Sequence, residues 1–455
     1  MSVINPYIFR EYDIRGVVDK DLTENIIELI GKAFGTHLQR QGGKKVSVGG
    51  DIRLSTEKFK NALIRGLTSS GANVLDLGTI PTPVLYFSLF KLTVDGGIMI
   101  TGSHNPPEFN GLKMSVGQSS IYGQEIQKLR EIIEKEDFLT GAGKVEKKNI
   151  IPEYLKDIGN RIKAKNNVKV VFDCGNGAGA LVIEDLMKSL GVNAYFMYCE
   201  PDGTFPNHHP DPTVAEYIAD LREQVLKLNA DLGIAFDGDA DRIGVIDDKG
   251  DIIWGDRLLI LFARSILKEK KGQKIIFEVK CSQALPEMIE AAGGEPIMWK
   301  TGHSLLKKKM KETGAVIGGE MSGHLFFADR YHGYDDAIYA AARLIELLSQ
   351  ENKKTSELLS DVPEYYTTPE IRVEVPSDEE KFIIASKAAK YFKEHYEVID
   401  VDGVRILFGD GWGLVRASNT QPVLVLRFEA KTQKRLEELK NLVINKLKEF
   451  GNILI

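Results

Sequence analysis

Lys45-Val-Ser-Val-Gly-Gly-Asp51 decides the fold, because its pattern returns twice further along the chain. The run is apolar and β-branched until it stops at glycine. An amphipathic stretch follows and closes near Ser70-Gly-Ala-Asn73. A short β-branched run bounded by turn residues reads as a strand, and the stretch after it as a helix with a glycine stop. Lys169-Val-Val-Phe-Asp-Cys-Gly175 repeats this, with a helix reaching Leu190-Gly-Val-Asn193. Lys274-Ile-Ile-Phe-Glu-Val-Lys280 repeats it again, as far as Ala292-Gly-Gly-Glu-Pro296. A strand–loop–helix–strand unit used three times predicts three similar α/β domains of βαβ type, with mixed sheets.

Each unit contains a second apolar strand that runs into an unusual polar segment. Gly97-Ile-Met-Ile-Thr101 leads into Gly102-Ser-His-Asn-Pro106, and Leu232-Gly-Ile-Ala-Phe236 into Asp237-Gly-Asp-Ala-Asp-Arg242. Ala315-Val-Ile-Gly-Gly319 leads into Glu320-Met-Ser-Gly-His324. Ligands of open α/β sheets gather beyond the carboxyl ends of strands, so three such loops are expected to face one central cleft. After about residue 362 the grammar changes to strand, helix, several strands and a final helix, a C-terminal α+β domain. The expected domains are 1–150, carrying the serine loop; 151–252, carrying the aspartates; 253–362, carrying the Glu320 loop; and 363–455.

The loops carry the chemistry. Asp237, Asp239 and Asp241 alternate, which in an extended segment puts three carboxylates on one side. Converging carboxylates call for a cation, and all-oxygen ligation suits Mg²⁺ or Ca²⁺; an EF-hand is excluded by Arg242 and Asp248 at its glycine and glutamate positions. Alone, the segment reads equally as an acidic turn. Ser103 sits in a Gly and Asn-Pro turn expected to expose its hydroxyl, either as a hydrogen-bonded turn or, beside a metal, as a nucleophile. Glu320, Ser322 and His324 alternate in the same way and suit sugar hydroxyls, or simply form a glycine-flanked turn. Arg416-Ala-Ser-Asn-Thr-Gln-Pro422 groups a guanidinium, two hydroxyls and an amide, a phosphate cradle without a Walker loop.

Composition narrows the class. The 455 residues are 43% hydrophobic and 27% charged with a net charge of −6, which suits a multidomain globular protein and offers no nucleic-acid surface. The runs at Lys268–Lys271 and Lys307–Lys309 read as solvated helix ends. Cys174, Cys199 and Cys281 have no CxxC spacing, so neither disulfides nor zinc are expected. With no signal-peptide pattern and no bilayer-length apolar run, a cytoplasmic protein without membrane contact is expected.

Five segments in order resemble the α-D-phosphohexomutases, specifically the phosphomannomutase/phosphoglucomutase branch. They are Phe9-Arg-Glu-Tyr-Asp-Ile-Arg-Gly16, Thr101-Gly-Ser-His-Asn-Pro106, Asp237-Gly-Asp-Ala-Asp-Arg242, Glu320-Met-Ser-Gly-His324 and Arg416-Ala-Ser-Asn-Thr420. The resemblance covers essentially the whole chain. It implies four domains around one cleft and an isomerase that interconverts hexose 1- and 6-phosphates. Ser103 would carry the phosphoryl group and, with Asp237, Asp239 and Asp241, would hold Mg²⁺. Arg15, Lys113 and Arg242 would line the transfer side, and His104, Lys113 and His324 are the candidate bases. Tyr12, Lys280, His303, Glu320, Ser322 and His324 would orient the sugar; Arg416, Ser418, Asn419 and Thr420 would grip the distal phosphate. A hexose 1,6-bisphosphate would serve as intermediate and activator. Met321 stands where phosphoglucosamine mutases usually carry glutamine, which favours mannose and glucose over the amino sugar. There are two rival classes. An aspartyl-phosphate phosphatase or phosphotransferase with Asp237 as nucleophile leaves Ser103 and the Arg416 loop without a role. A non-catalytic sugar-phosphate binding protein would keep the Arg416 loop but show no turnover.

Overall fold

The computed structural model describes residues 4–418 and 423–453. Four sheets follow one another along the chain. In the first, Lys45–Gly50, Asn73–Thr79 and Gly96–Ile100 run parallel, and Phe109–Val116 returns antiparallel to Gly96–Ile100. In the second, Lys169–Asp173, Asn193–Met197 and Leu232–Phe236 are parallel, and Ile243–Asp247 returns. In the third, Lys274–Glu278, Glu295–Trp299 and Ile317–Gly319 are parallel, and Leu325–Phe327 returns. The polar loops of these three units are therefore the connections between the last parallel strand of each sheet and the antiparallel return. Strands such as Gly96–Ile100 and Leu232–Phe236 are buried along their whole length, which explains their continuous apolar runs.

The last sheet is antiparallel: Val423–Ala430, Gly411–Ala417, Val404–Leu407 and Glu397–Ile399 lie side by side, with helices Asp378–His395 and Gln433–Phe450 packed on them. It has its own core, including Val373, Phe392, Leu426 and Phe428. The first three domains instead share a continuous core running from Leu85 and Phe87 through Phe172 and Phe236 to Ile275, Phe327 and Tyr339. Truncating one of these phenylalanines to alanine is expected to cost about 3–5 kcal/mol. A second cluster lies beneath helix Glu24–Arg40. That helix meets Thr56–Ser69 through glycines: a Cβ on Gly66 would lie 2.1 Å from Glu28 O.

The C-terminal domain is tied to the third by more than the chain crossing near residue 363. Arg405 is buried against the Trp412 ring and donates to Val279 O at 2.7 Å and Cys281 O at 2.8 Å. Arg427 donates to Lys280 O at 2.6 Å, and Gln283 N donates to Glu429 at 2.8 Å.

Two sequence expectations are corrected here. Cys174 and Cys199 form a disulfide, because their strands, Lys169–Asp173 and Asn193–Met197, are parallel neighbours that end level with each other. A separation of 25 residues leaves no CxxC mark in the sequence. Lys307 is not a solvated helix end: it lies within helix His303–Thr313, 4.1 Å from the Tyr86 ring centroid, and pairs with the buried Asp335 at 2.7 Å. Among the described residues, no helix is long and apolar enough to cross a membrane.

Candidate active site

The first and second domains meet at Ser103. Its hydroxyl donates to Asp237 Oδ2 at 2.7 Å, and His104 Nδ1 stands 3.1 Å from the same oxygen. The expected exposed turn is wrong: Ser103 is only 2% exposed, because the aspartate loop and the first sheet close over it. Its φ of 48° lies in the left-handed region, a conformation that persists only where the surroundings enforce it. One neighbour is Gly238, where a Cβ would lie 2.4 Å from Ser103 O.

The aspartates converge by a tight turn and not by strand alternation. Ala240 has φ 60° and its N–H returns to Asp237 O at 3.1 Å. Asp237 Oδ1 accepts the N–H groups of Asp241 and Arg242, each at 3.1 Å. Thr82 donates its hydroxyl to Asp239 Oδ2 at 2.5 Å. Lys113 Nζ lies 2.7 Å from Asp239 Oδ2 and also pairs with Asp241. Burial opposes the charge of Lys113, yet Asp239 and Asp241 hold its ammonium well above the ordinary lysine pKa. Burial, together with the charges of Asp239 and Asp241, pushes Asp237 well above the usual carboxylate range.

These carboxylates fit a divalent cation. One oxygen from each of Asp237, Asp239 and Asp241 lies within 4.8 Å of the others, and all three residues are buried. Oδ1 of Asp239 and Oδ1 of Asp241 have no hydrogen-bond partner among the described residues. The Lys113 ammonium and the nearby Arg242 guanidinium against three buried carboxylates leave an uncompensated negative site, which hard oxygen-seeking cations satisfy.

The third domain closes the site from the side. Arg242 Nε donates to His324 Nε2 at 2.9 Å, leaving the His324 proton on Nδ1, which faces Asp335 Oδ2 at 3.4 Å. His303 Nδ1 faces the same oxygen, also at 3.4 Å. Burial, then the charge of Lys307, lowers the pKa of His303. Glu320 accepts the N–H of Gly302 at 2.6 Å, and Ser322 Oγ lies 3.4 Å from its other oxygen. Tyr12 reaches across from the first domain and donates to Thr301 O at 2.8 Å. Arg15 pairs with Asp13 at 2.5 Å.

The far end belongs to the C-terminal domain. Arg416 pairs with Asp402 at 3.1 Å, and the same Asp402 oxygen accepts Thr301 N–H at 3.0 Å, joining the fourth domain to the third. Lys280 lies between Glu370 at 3.2 Å and Glu278 at 3.6 Å. Ser418 is buried beside Arg416, with its N–H on Val423 O at 3.0 Å. Asn419 and Thr420 lie outside the described residues.

The sequence reading missed Arg53, Thr82, Asp335 and Asp402, each of which holds one of the expected residues. Arg53 and Thr82 carried a signal, since each lies three residues past the carboxyl end of a parallel strand, Lys45–Gly50 and Asn73–Thr79.

Comparison with known proteins bears on the family and the fold. Four models of the Phosphoglucomutase/phosphomannomutase family match in order: alpha/beta/alpha domain I at residues 6–140, domain II at 152–250, domain III at 254–366, and the C-terminal domain at 370–446. A Pseudomonas aeruginosa phosphomannomutase/phosphoglucomutase is 48% identical over 97% of this chain and 95% of its own. A Neisseria meningitidis phosphoglucomutase is 45% identical over 97% and 96%. The crystal structure of a phosphoglucomutase/phosphomannomutase family protein from Burkholderia thailandensis superposes with a TM-score of 0.93 at 40% identity, covering 100% of both chains. With all four domains matched in sequence and near-identical in fold to a solved relative, the chain belongs to the phosphoglucomutase/phosphomannomutase family.

Proposed function

We propose that this protein is a phosphohexomutase that interconverts the 1- and 6-phosphates of mannose and glucose through phospho-Ser103 and a hexose 1,6-bisphosphate. The observation that carries the reading is the buried Ser103 hydroxyl, 2.7 Å from Asp237, on a floor of three carboxylates and one lysine. Phosphoryl transfer is a problem of position and charge, and this floor addresses both. The serine O–P bond breaks as a P–O bond forms to the free sugar hydroxyl, whose proton ends on the departing serine oxygen, giving the bisphosphate. Asp237, Asp239 and Asp241, with an oxygen of phospho-Ser103, would hold Mg²⁺, which would supply positive charge during the transfer.

Lys113, Arg15 and Arg242 add fixed positive charge on the transfer side. Of the three candidate bases, His104 has the geometry that supports the part best. It stands 3.1 Å from Ser103 Oγ, where a proton has to come and go. Lys113 is engaged by two carboxylates, and Arg242 occupies His324 Nε2. The bisphosphate then turns end over end, so that its other phosphate faces Ser103; that sugar O–P bond breaks as the Ser103 O–P bond forms again, which regenerates phospho-Ser103 and frees the isomeric monophosphate. Arg416 and Ser418 hold the distal phosphate in both orientations, exchanging the Asp402 carboxylate for a phosphate oxygen. Tyr12, Lys280 and His303 orient the substrate, and Glu320 and Ser322, with His324 beside them, read sugar hydroxyls that mannose and glucose share.

A coupled assay with Mg²⁺ and catalytic 1,6-bisphosphate tests the reading. Glucose 1-phosphate and mannose 1-phosphate are expected to have kcat/KM values within about two decades of each other, because one epimeric hydroxyl shifts binding by only a few kcal/mol. Glucosamine 1-phosphate should be much poorer, and EDTA should stop turnover. Preference for the amino sugar would overturn the sugar assignment, and full activity in EDTA the metal assignment.

A further inference from the structure

Arg53 lies outside every motif described above, yet its fully buried guanidinium grips the Ser103 loop from beneath. Nη2 donates to Ser103 O at 2.8 Å and Asn105 O at 2.5 Å; Nη1 donates to Pro106 O at 2.6 Å and Phe109 O at 3.0 Å. Asp51 balances the charge, with Oδ2 3.3 Å from Nε, and the same oxygen accepts the N–H of Gly102 at 3.2 Å. Four carbonyls converging on one planar fork is a geometry arginine can satisfy. Lysine offers its donors from a single point and cannot span them.

The glycines around it fit the same purpose. A Cβ on Gly102 would lie 2.6 Å from Arg53 Cζ, so the guanidinium packs directly on the backbone next to Ser103. The second domain covers the other side. The Phe205 ring centre is 5.1 Å from Arg53 Cζ, and a Cβ on Gly203 would lie 2.8 Å from Arg53 Cα. From the same segment, His209 Nε2 donates to His104 O.

We infer that Arg53 is a positioning residue: clamped between Asp51 and Phe205, it fixes the backbone of residues 103–109 and thereby the place of the Ser103 hydroxyl against Asp237. The inference rests on the reading of Ser103 as phosphoryl carrier. Ser103 occupies a left-handed backbone conformation that its neighbours must enforce, and the Arg53 fork donates a hydrogen bond to its carbonyl. With the fork lost, the loop keeps its sequence and the cleft keeps its sugar contacts, but the serine oxygen is no longer held in line.

The test uses Arg53→Lys and Gly102→Ala in the full-length protein, with wild type and Ser103→Ala alongside. Arg53→Lys keeps the charge and removes the fork; Gly102→Ala keeps the arginine and pushes it from the backbone. Both should lower kcat by about 10²-fold, the cost of a misplacement near 1 Å, while KM for glucose 1-phosphate stays within about threefold. Intact-mass analysis after treatment with glucose 1,6-bisphosphate should show slower phosphorylation of Ser103 in both variants. A folded Arg53→Lys protein with wild-type kcat and phosphorylation rate overturns the inference. So does a failure of both variants to fold, which would make Arg53 a general stability residue. If Ser103→Ala itself retains wild-type turnover, the carrier reading fails independently of anything Arg53 does.

Discussion

The two ends of the cleft handle charge in opposite ways. Around Ser103, three buried aspartates face one lysine and the nearby Arg242 charge, and two of their oxygens have no hydrogen-bond partner among the described residues. Around Arg416, each cation already has a carboxylate: Asp402 for Arg416, and Glu278 with Glu370 for Lys280. An uncompensated cluster asks for an added cation, and a compensated one exchanges a carboxylate for an incoming phosphate. The ends also differ in how they are held. The serine end is built by two domains that share a core, whereas the Arg416 end sits on a domain with a core of its own, docked through Arg405 and Arg427. Parts with separate cores can shift relative to each other, which suits an end that must release and regrip an intermediate.

The largest expected effect breaks the serine end. Ser103→Ala should lower kcat at least about 10³-fold, as deletion of a covalent nucleophile does. The loss of one buried hydroxyl bond should cost about 1 kcal/mol of stability by thermal unfolding. Intact-mass analysis should show a phosphate increment on wild type that the variant lacks. Near-normal rates would remove the functional contrast between the two ends.

An intermediate effect tests the exchange of partners at the other end. Arg416→Ala should raise KM about 10–100-fold for both sugars, the worth of a charge-assisted hydrogen bond, and should release more free bisphosphate per turnover. The change also leaves Asp402 without its guanidinium, so Arg416→Ala with Asp402→Ala should recover stability but not KM. Recovery of KM would mean that the carboxylate, and not the lost phosphate grip, was the defect.

The smallest effect on turnover concerns the shared core beneath the cleft. Asp336 caps helix Ala337–Gln350 and accepts the hydroxyls of Tyr154 and Tyr331; burial pushes its pKa up to about 7. Its folded pKa exceeds the ordinary aspartate value of about 3.9, so the folded state binds the proton more tightly. Stability from this group is therefore full below about pH 4 and is lost as pH rises towards 7, by up to about 1.4 kcal/mol per pH unit. Asp336→Asn breaks a tyrosine hydrogen bond at every pH but removes this slope. Denaturant titrations at pH 5 and 7.5 should show a smaller deficit for the variant at pH 7.5. An equal deficit at both would show that Asp336 stays ionised and is satisfied by its tyrosines.

The sequence by itself determined the three α/β units, the changed grammar of the last domain, and the loops that carry chemistry. Those features are local: strand and helix periodicity, glycine stops, and functional side chains crowded into a few consecutive residues. It also placed each loop after the right strand, since a strand running into polar residues marks where a sheet ends. Only the tertiary structure decided what those loops touch. Ser103 meets Asp237 across 134 residues, and that contact turned an expected exposed hydroxyl into a buried one. Lys113 joins the aspartates from a strand whose sequence looks ordinary, and Lys307, one of three consecutive lysines, turns inward to Asp335. Cys174 and Cys199 are brought together by neighbouring strands, and Arg53 reaches the serine loop across 50 residues. Periodicity says which face of an element is apolar, but pairings between distant side chains depend on how the sheets stack, and no short window of sequence contains that.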